Sequence, residues 1–518
     1  MESLKDEKSR DNTVDIDTEA AVPRSHAAWF GGNGVYVGPR IGPVINGSAS
    51  DSDTDDSSSA ILNKQLAQED GCAIQYRTCS WQKTAALLFS EYICLAIMSF
   101  PWSYSVLGLV PGLILTVVVA AFVLYTSLVL WQFCLRHPEV RDVCDIGQML
   151  FWNKKWAWYA TAFMFLLNNT GLHVLVGAKY LNTMTESDSI ACRTVSFGVV
   201  MFLLCWLCSL PRTFSMLSKL GTASALFTFV SVLLATIFAG IEKHPAGYDP
   251  RPSFTAADGT KAVGGNPIVT AIPVAGTTFV AGLNAFMNIS YTFIGQITLP
   301  SFIAEMKNPR EFPKALWACT IAEIIVFSIV GSVVYAYTGN QYMTAPAFGS
   351  LEPLYKKVAF SFMIPTLIFL GVLYASVSAR FVFFRIFDNT RHKSEHTVLG
   401  WSVWALILLA TWILAFIIAE VIPFFSDLLS LMSSLFDSFF GFIFWGVAYL
   451  RMRKVDGGLD FVKERNVSGI LLAALNVFII LIGLFFLTAG TYASVQSIVD
   501  AFDAGQVGGV FSCASNGL

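Results

Sequence analysis

The sequence predicts an all-α polytopic membrane protein of about eleven transmembrane helices, five plus five of opposite orientation and one more. Three observations carry this. Of the 518 residues, 55% are hydrophobic and only 13% charged, about half the charged share of a soluble domain. The apolar residues fall in runs long enough to cross a hydrocarbon core of about 30 Å. The Lys and Arg residues gather in alternate links between those runs. A net charge of −3 supplies no basic field for nucleic acid.

Residues 1–80 differ in kind. The stretch SASDSDTDDSSSA has too little apolar surface to offset the entropy of ordering, so a disordered cytosolic tail is expected. No charged and apolar leader opens the chain, so no cleavable signal peptide is expected. The transmembrane domain runs over 81–492, with spans at about 84–106, 111–134, 156–181, 194–210, 220–240, 271–303, 315–338, 358–384, 399–421, 426–450 and 468–492. Gly108 to Gly112 separates the first two spans, and Glu420, Pro423 and Asp427 break the ninth from the tenth. A short tail, 493–518, follows.

The links after the even spans carry seventeen Lys and Arg, the opposite links seven. The rule that positive links stay in the cytosol then puts the N-terminus inside and the C-terminus on the other face. Spans one to five (84–240) and six to ten (271–450) enter with opposite orientation, because five is odd. That is the layout of an inverted repeat, with 468–492 added. Most of the ten cysteines read as apolar fillers. Cys192 and Cys513 share the outer face and are free to pair, though nothing local sets their separation.

The opening span of each five-span group is irregular. In the first, Pro101 follows Ile97, Met98, Ser99 and Phe100, with Ser103 and Ser105 beyond. In the second, Asn284, Asn288, Ser290, Tyr291, Thr292, Phe293, Gly295 and Gln296 lead to Pro300, too many polar groups for a lipid-facing helix. Broken backbone at membrane depth is tolerated only where protein or a polar cavity surrounds it. Half-helix ends there offer N–H groups to a carboxylate and carbonyls to an ammonium, which suits a zwitterion.

Ionisable residues at membrane depth are site candidates. Glu91, nearly three turns before Pro101, is the preferred proton-coupling carboxylate. Glu323, Asp427 and Asp437 are others, and Arg380 either snorkels or pairs with a structural carboxylate. His173 reads as a hydrogen-bonded structural histidine. Ser376 and Ser378 have the hydroxyls a sodium ion would want, with carbonyls from the first break. The glycosylation patterns at Asn46, Asn168, Asn288 and Asn466 fall in spans or on the cytosolic side, and none is expected to be modified. No phosphate-binding loop, zinc-protease or haem motif is present. Neither an enzyme nor a cofactor is indicated.

The runs Glu91-Tyr92-Ile93-Cys94-Leu95-Ala96-Ile97-Met98-Ser99-Phe100-Pro101-Trp102 and Gly108-Leu109-Val110-Pro111-Gly112 resemble the amino acid/auxin permease family. So do Ser290-Tyr291 to Gln296, Leu299-Pro300-Ser301 and Glu305-Met306-Lys307-Asn308-Pro309-Arg310-Glu311-Phe312-Pro313-Lys314. Within it the chain is similar to fungal neutral amino acid permeases, over residues 78–490. The resemblance implies eleven spans in the inverted-repeat fold of the bacterial leucine transporter and symport of amino acids, in fungi usually with protons. It places Ile97 to Pro101 and Ser290 to Gln296 at the substrate and favours the plasma membrane over the vacuole. Spans one, two, six and seven would rock against the rest. The alternatives are sodium coupling and an amino acid sensor on the same fold.

Overall fold

The computed structural model describes residues 79–513 apart from 141, 169–171, 186–191, 213, 256–260, 388–389, 391, 393–394, 423, 458–466 and 506–509, together with 29–32, 35, 37–42, 58 and 77. The acidic Ser/Asp run (apart from Ser58), Pro423, Asn46 and Asn466 lie outside these, as does part of the pattern at Asn168.

Helix α1 (Trp81–Tyr92) gives way to a 3₁₀ turn, Leu95–Ser99, and then to α2 (Phe100–Leu107). At Gly108 φ is 82°, and a Cβ there would lie 2.5 Å from the Ile272 carbonyl carbon, so only glycine makes this reversal. The chain continues as α3 (Leu109–Arg136), α4 (Val143–Leu150), α5 (Lys155–Asn168), α6 (Leu172–Met184), α7 (Arg193–Ser209) and α8 (Phe214–Ile241). A two-stranded antiparallel hairpin pairs Phe254 with Ala262. Then come α9 (Phe279–Phe293), α10 (Leu299–Glu305), α11 (Phe312–Thr338), α12 (Pro353–Ile386) and α13 (Val398–Val421). Helix α14 (Phe425–Met432) runs through a π-helical stretch, Ser433–Ile443, into α15 (Phe444–Gly457). The last rod is α16 (Val467–Phe485), a π turn at Phe486–Gly490 and α17 (Thr491–Asp503).

Nine helical segments among the described residues are long and apolar enough to cross a membrane. Each of the other two expected spans has a physical reason for falling short. Arg193–Ser209 has only 17 residues, and the sixth is cut at Ile294 to Thr298. The last rod extends to Asp503, through the start of what the sequence presents as tail. Helix α4 was not expected. Asp142 caps it by accepting the Cys144 and Asp145 N–H groups at 2.9 and 3.1 Å, and Arg385 ties both aspartates to α12 at 3.1 and 2.8 Å.

Small hydroxyl residues let α8 and α12 approach closely. Thr228 and Thr366 share a 2.6 Å hydrogen bond, and Ser231 donates to the Ala359 carbonyl at 2.6 Å. Large apolar side chains such as Leu406, Leu471, Leu481 and Phe478 stay exposed on α13 and α16, a surface that suits lipid and not water. Cys192 and Cys513, whose pairing the sequence leaves open, form a disulfide.

Part of the segment expected to be disordered is packed. Phe30 stacks on Trp317 with ring centroids 5.5 Å apart, and Gly32 N–H donates to the Arg310 carbonyl at 3.0 Å. Val35 and Ile41 are buried. Arg40 pairs with Glu139 at 2.6 Å, Ile41 N–H donates to His137 Nε2 at 3.0 Å, and Arg451 donates to the Gly42 carbonyl at 2.9 Å. The described residues among 29–42 thus lie at the ends of α3, α11 and α15. The Ile41 bond requires an unprotonated Nε2, and the other ring nitrogen lies 3.0 Å from Glu139. Burial holds His137 below its usual 6.5. Burial opposes ionisation of Glu139, but bonds from His137 and Arg40 keep its carboxyl below 4.5. Both groups therefore favour docking fully above pH 6.5 and progressively less as acid protonates the undocked forms. Hydrogen-exchange protection of residues 29–32, 35 and 37–42, taken relative to the intrinsic rate at each pH, is expected to be greater at pH 7.5 than at about pH 5. Equal protection at the two pH values would show that this pair does not hold the segment.

Candidate functional site

Both interruptions follow one local rule. Helix α1 ends at Ile93, whose N–H reaches the Phe89 carbonyl, and the 3₁₀ turn leads into α2 with Pro101 in its first turn. Helix α9 ends at Ile294 in extended conformation, and after Gly295 to Thr298 the chain re-enters α10 with Pro300 in its first turn. A proline at the start of a helix loses no hydrogen bond. The first break therefore precedes Pro101 and is centred on 93–99. Pro101 and Pro300 open the second half-helices and do not cause the gaps.

The structure brings the two interruptions together. The 3₁₀ turn holding Ile97, Met98 and Ser99 packs on α9 and α11. Phe100 lies edge-on to Phe293 at 6.1 Å, and both rings meet Phe327 of α11, at 4.9 and 5.1 Å. These three rings fill the junction as core. Gly295 lies against the Tyr92 ring, and a Cβ on it would fall 2.7 Å from Tyr92 Cε1 and Cζ. Ile294 seats on Gly441 of the π-helical stretch, the kind of helix irregularity frequent at functional sites. Tyr291 lies within electrostatic reach of Asp437 on that stretch.

Thr298 joins the gap to Glu91. Its Oγ1 lies 2.7 Å from Glu91 Oε1 and 2.9 Å from the Gly295 carbonyl. One hydroxyl hydrogen serves only one acceptor at a time, so the state of the carboxylate alters the bonding at the break. Tyr374 of α12 reaches the same carboxylate, and His173 lies behind it with ring centroids 5.9 Å apart.

The other candidates separate. Ser99 Oγ donates to its own turn, to the Ala96 carbonyl at 2.7 Å. Gln296 Nε2 donates to Thr126 of α3 at 3.0 Å, so its amide anchors the gap, while its Oε1 has no partner among the described residues. Ser290 Oγ and both side-chain polar atoms of Asn288 are likewise buried without a partner among the described residues. Such groups are rare and ask for an explanation, and a polar ligand at the gap is one. Ser376 and Ser378 are buried with unpartnered hydroxyls, but two helix positions apart they point to opposite sides of α12, so they do not share one cage. Arg380 is paired, 3.0 Å from Glu305 at the end of α10. Sequence reasoning missed Thr298, Tyr92, Thr126 and Phe327. Only position in space distinguishes them from ordinary span residues.

Comparison with known proteins bears on the same residues. Residues 77–496 match the family described as transmembrane amino acid transporter protein. A protein of Neurospora crassa named N amino acid transport system protein is 31% identical over 458 residues, spanning 88% of this chain and 92% of its own. A transmembrane transporter of Gibberella moniliformis is 30% identical over 480 residues, spanning 91% and 94%. Among solved structures, a Na⁺-coupled sialic acid symporter in a substrate-bound outward-open state aligns at a TM-score of 0.47 and 14% identity, covering 86% of this chain and 97% of its own. That likeness is too weak to assign a repeat architecture. With the match running from α1 into α17 and so across both interruptions, the chain belongs to the transmembrane amino acid transporter family, a family of transporters and not of enzymes.

Proposed function

We propose that this amino acid transporter carries neutral amino acids in symport with a proton, by alternating access, at the plasma membrane. The observation that carries the reading is the meeting of the two interruptions, with Thr298 of one bonded to Glu91 beside the other at 2.7 Å. The last carbonyls of α9 suit an ammonium and the first N–H groups of α2 a carboxylate. The surroundings Ile97 to Pro101, Ser290, Tyr291, Phe293, Gly295 and Gln296 hold no Lys or Arg, which favours a side chain without charge. Glu91 is the coupling group.

Eleven spans in a five-plus-five inverted repeat with one extra helix fit this working. Each five-span group opens on an interrupted helix, as in transporters of the leucine type. The Lys and Arg bias supports a cytosolic N-terminus, and the Cys192–Cys513 disulfide supports an oxidising compartment on the other face. A sodium reading has one specific support, the unpartnered Ser376 and Ser378 hydroxyls.

The test is uptake of a radiolabelled neutral amino acid into proteoliposomes under a pH gradient or a sodium gradient. Accumulation that follows the pH gradient and collapses with a protonophore is expected. Dependence on sodium would replace Glu91 by Ser376 or Ser378 as the coupling group. Binding without movement under either gradient would favour the sensor.

A further inference from the structure

We propose that Glu323 of α11 is the second member of a two-carboxylate proton site with Glu91. This rests on the proton-coupled reading above. The two side chains come from different halves of the chain, yet α1 and α11 pack along one another. Glu91 is 2% exposed and Glu323 3%. They are electrostatic neighbours, and Tyr92, Cys94 and Cys319 stand near both.

The groups that the structure places beside the two carboxylates are neutral ones. Helix α1 and the turn after it contribute Tyr92 and Cys94, α11 contributes Cys319, α12 contributes Tyr374 with His173 of α6 behind it, and the gap before α10 contributes Thr298. The described side chains of α8 include none that titrates. Thr298 Oγ1 donates to Glu91 at 2.7 Å, with Tyr374 reaching the same carboxylate, and Cys319 Sγ donates to Glu323 at 3.3 Å. Among the described side chains beside the two carboxylates there is no Lys or Arg to balance two negative charges. Two carboxylates buried on packed helices, each held by a neutral donor, disfavour double ionisation, and on this proposal the pair keeps one proton and titrates as a unit.

The placement also suits carriage. Glu91 and Glu323 both sit on helices of the set expected to rock, spans one and seven, whereas Tyr374 sits on span eight. The pair therefore travels with the substrate gap, and its contact with α12 is the one that changes. In each cycle a hydronium on one side breaks an O–H bond and leaves water as an O–H bond forms on the pair, and on the other side that bond breaks as water takes the proton and becomes hydronium.

The test uses the full chain in proteoliposomes, comparing the parent with Glu323→Gln, Glu323→Asp, Glu91→Gln and the double Glu91→Gln/Glu323→Gln. Four readouts are taken: amino acid counterflow at equal pH, accumulation under a pH gradient, the pH profile of uptake between about 5 and 8, and proton entry by a trapped dye. Glu323→Gln is expected to lose about tenfold in accumulation, to lose less in counterflow than in accumulation and to flatten the pH profile. Glu323→Asp should regain part of the profile, and the double variant should be no worse than Glu91→Gln alone. A Glu323→Gln protein with the parent's accumulation and pH profile overturns the pair and leaves Glu91 coupling intact. A parent driven by sodium and indifferent to the pH gradient overturns the proton reading and the pair with it. Should Glu323→Gln fail to fold, Glu323→Asp decides, and an unshifted pH profile counts against the pair.

Discussion

Gly295→Leu is expected to cut amino acid uptake about a hundredfold, the scale of loss when a reacting geometry is displaced by an ångström or so. The reason is local. A single Cβ at this position already falls 2.7 Å from two carbons of the Tyr92 ring, and a leucine side chain brings three more carbons to the same place. Either the gap moves away from α1 or Tyr92 moves toward Glu91, and both separate the two interruptions. A Gly295→Ala protein should be impaired less, and Tyr92→Ala should restore part of its rate by removing the opposing ring. Tyr92→Ala alone is expected to cost stability through the cavity it leaves. The pair of substitutions measures the contact directly as a double-mutant cycle. Uptake and apparent affinity unchanged in Gly295→Leu would place the substrate elsewhere.

The second large effect is on folding. Arg380→Met is expected to destabilise the protein by about 1.5–3 kcal/mol, the scale of a hydrogen bond to a charged group in a largely buried setting. Arg380 Nη1 lies 3.0 Å from Glu305 Oε1, with their side chains 12% and 14% exposed, and Nη2 donates to the Arg212 carbonyl at 3.1 Å. The ion pair ties α12 to the end of the short helix α10, so its loss also loosens the second half of the sixth span. Replacing both partners, Arg380→Met with Glu305→Gln, should cost less than the sum of the two single changes, since the pair acts as a unit. Thermal unfolding in detergent, followed by size-exclusion fluorescence, reads the single and double variants. An Arg380→Met protein as stable as the parent would show that the pair adds nothing to the fold.

Several features of the site were legible in the chain itself. Polar residues packed into an otherwise apolar run, with a proline close by, mark both interruptions in the sequence alone. The sequence does not reveal that the first break precedes Pro101, because a proline inside an apolar stretch looks the same whether it kinks a helix or begins one. The capping of α1 at Ile93 and the turn at Leu95–Ser99 depend on which carbonyls find partners, which spacing does not reveal. Gln296 could be flagged as polar and buried, but its choice of Thr126 over a ligand depends on α3, 170 residues away. The packing of residues 29–42 was hidden for a related reason. Val35 and Ile41 are isolated apolar residues without period, and they become core only because α3 and α15 lie beneath them.

The pairing of Glu91 with Glu323 belongs to the same class. Each was visible as a costly carboxylate at membrane depth, yet nothing along the chain says that span seven turns one face toward span one. What the sequence determined by itself is what depends on local composition: the membrane class, the helical segments, the alternation of charged links and the two weakened spans. Water and lipid act on each segment separately, so those properties can be read one window at a time. What only the tertiary structure decided is which weakened ends meet, which hydroxyl serves which acceptor and which carboxylates share a site. Those depend on close packing between helices far apart in the chain, where a shift of one residue turns a helix by about 100° and changes every partner.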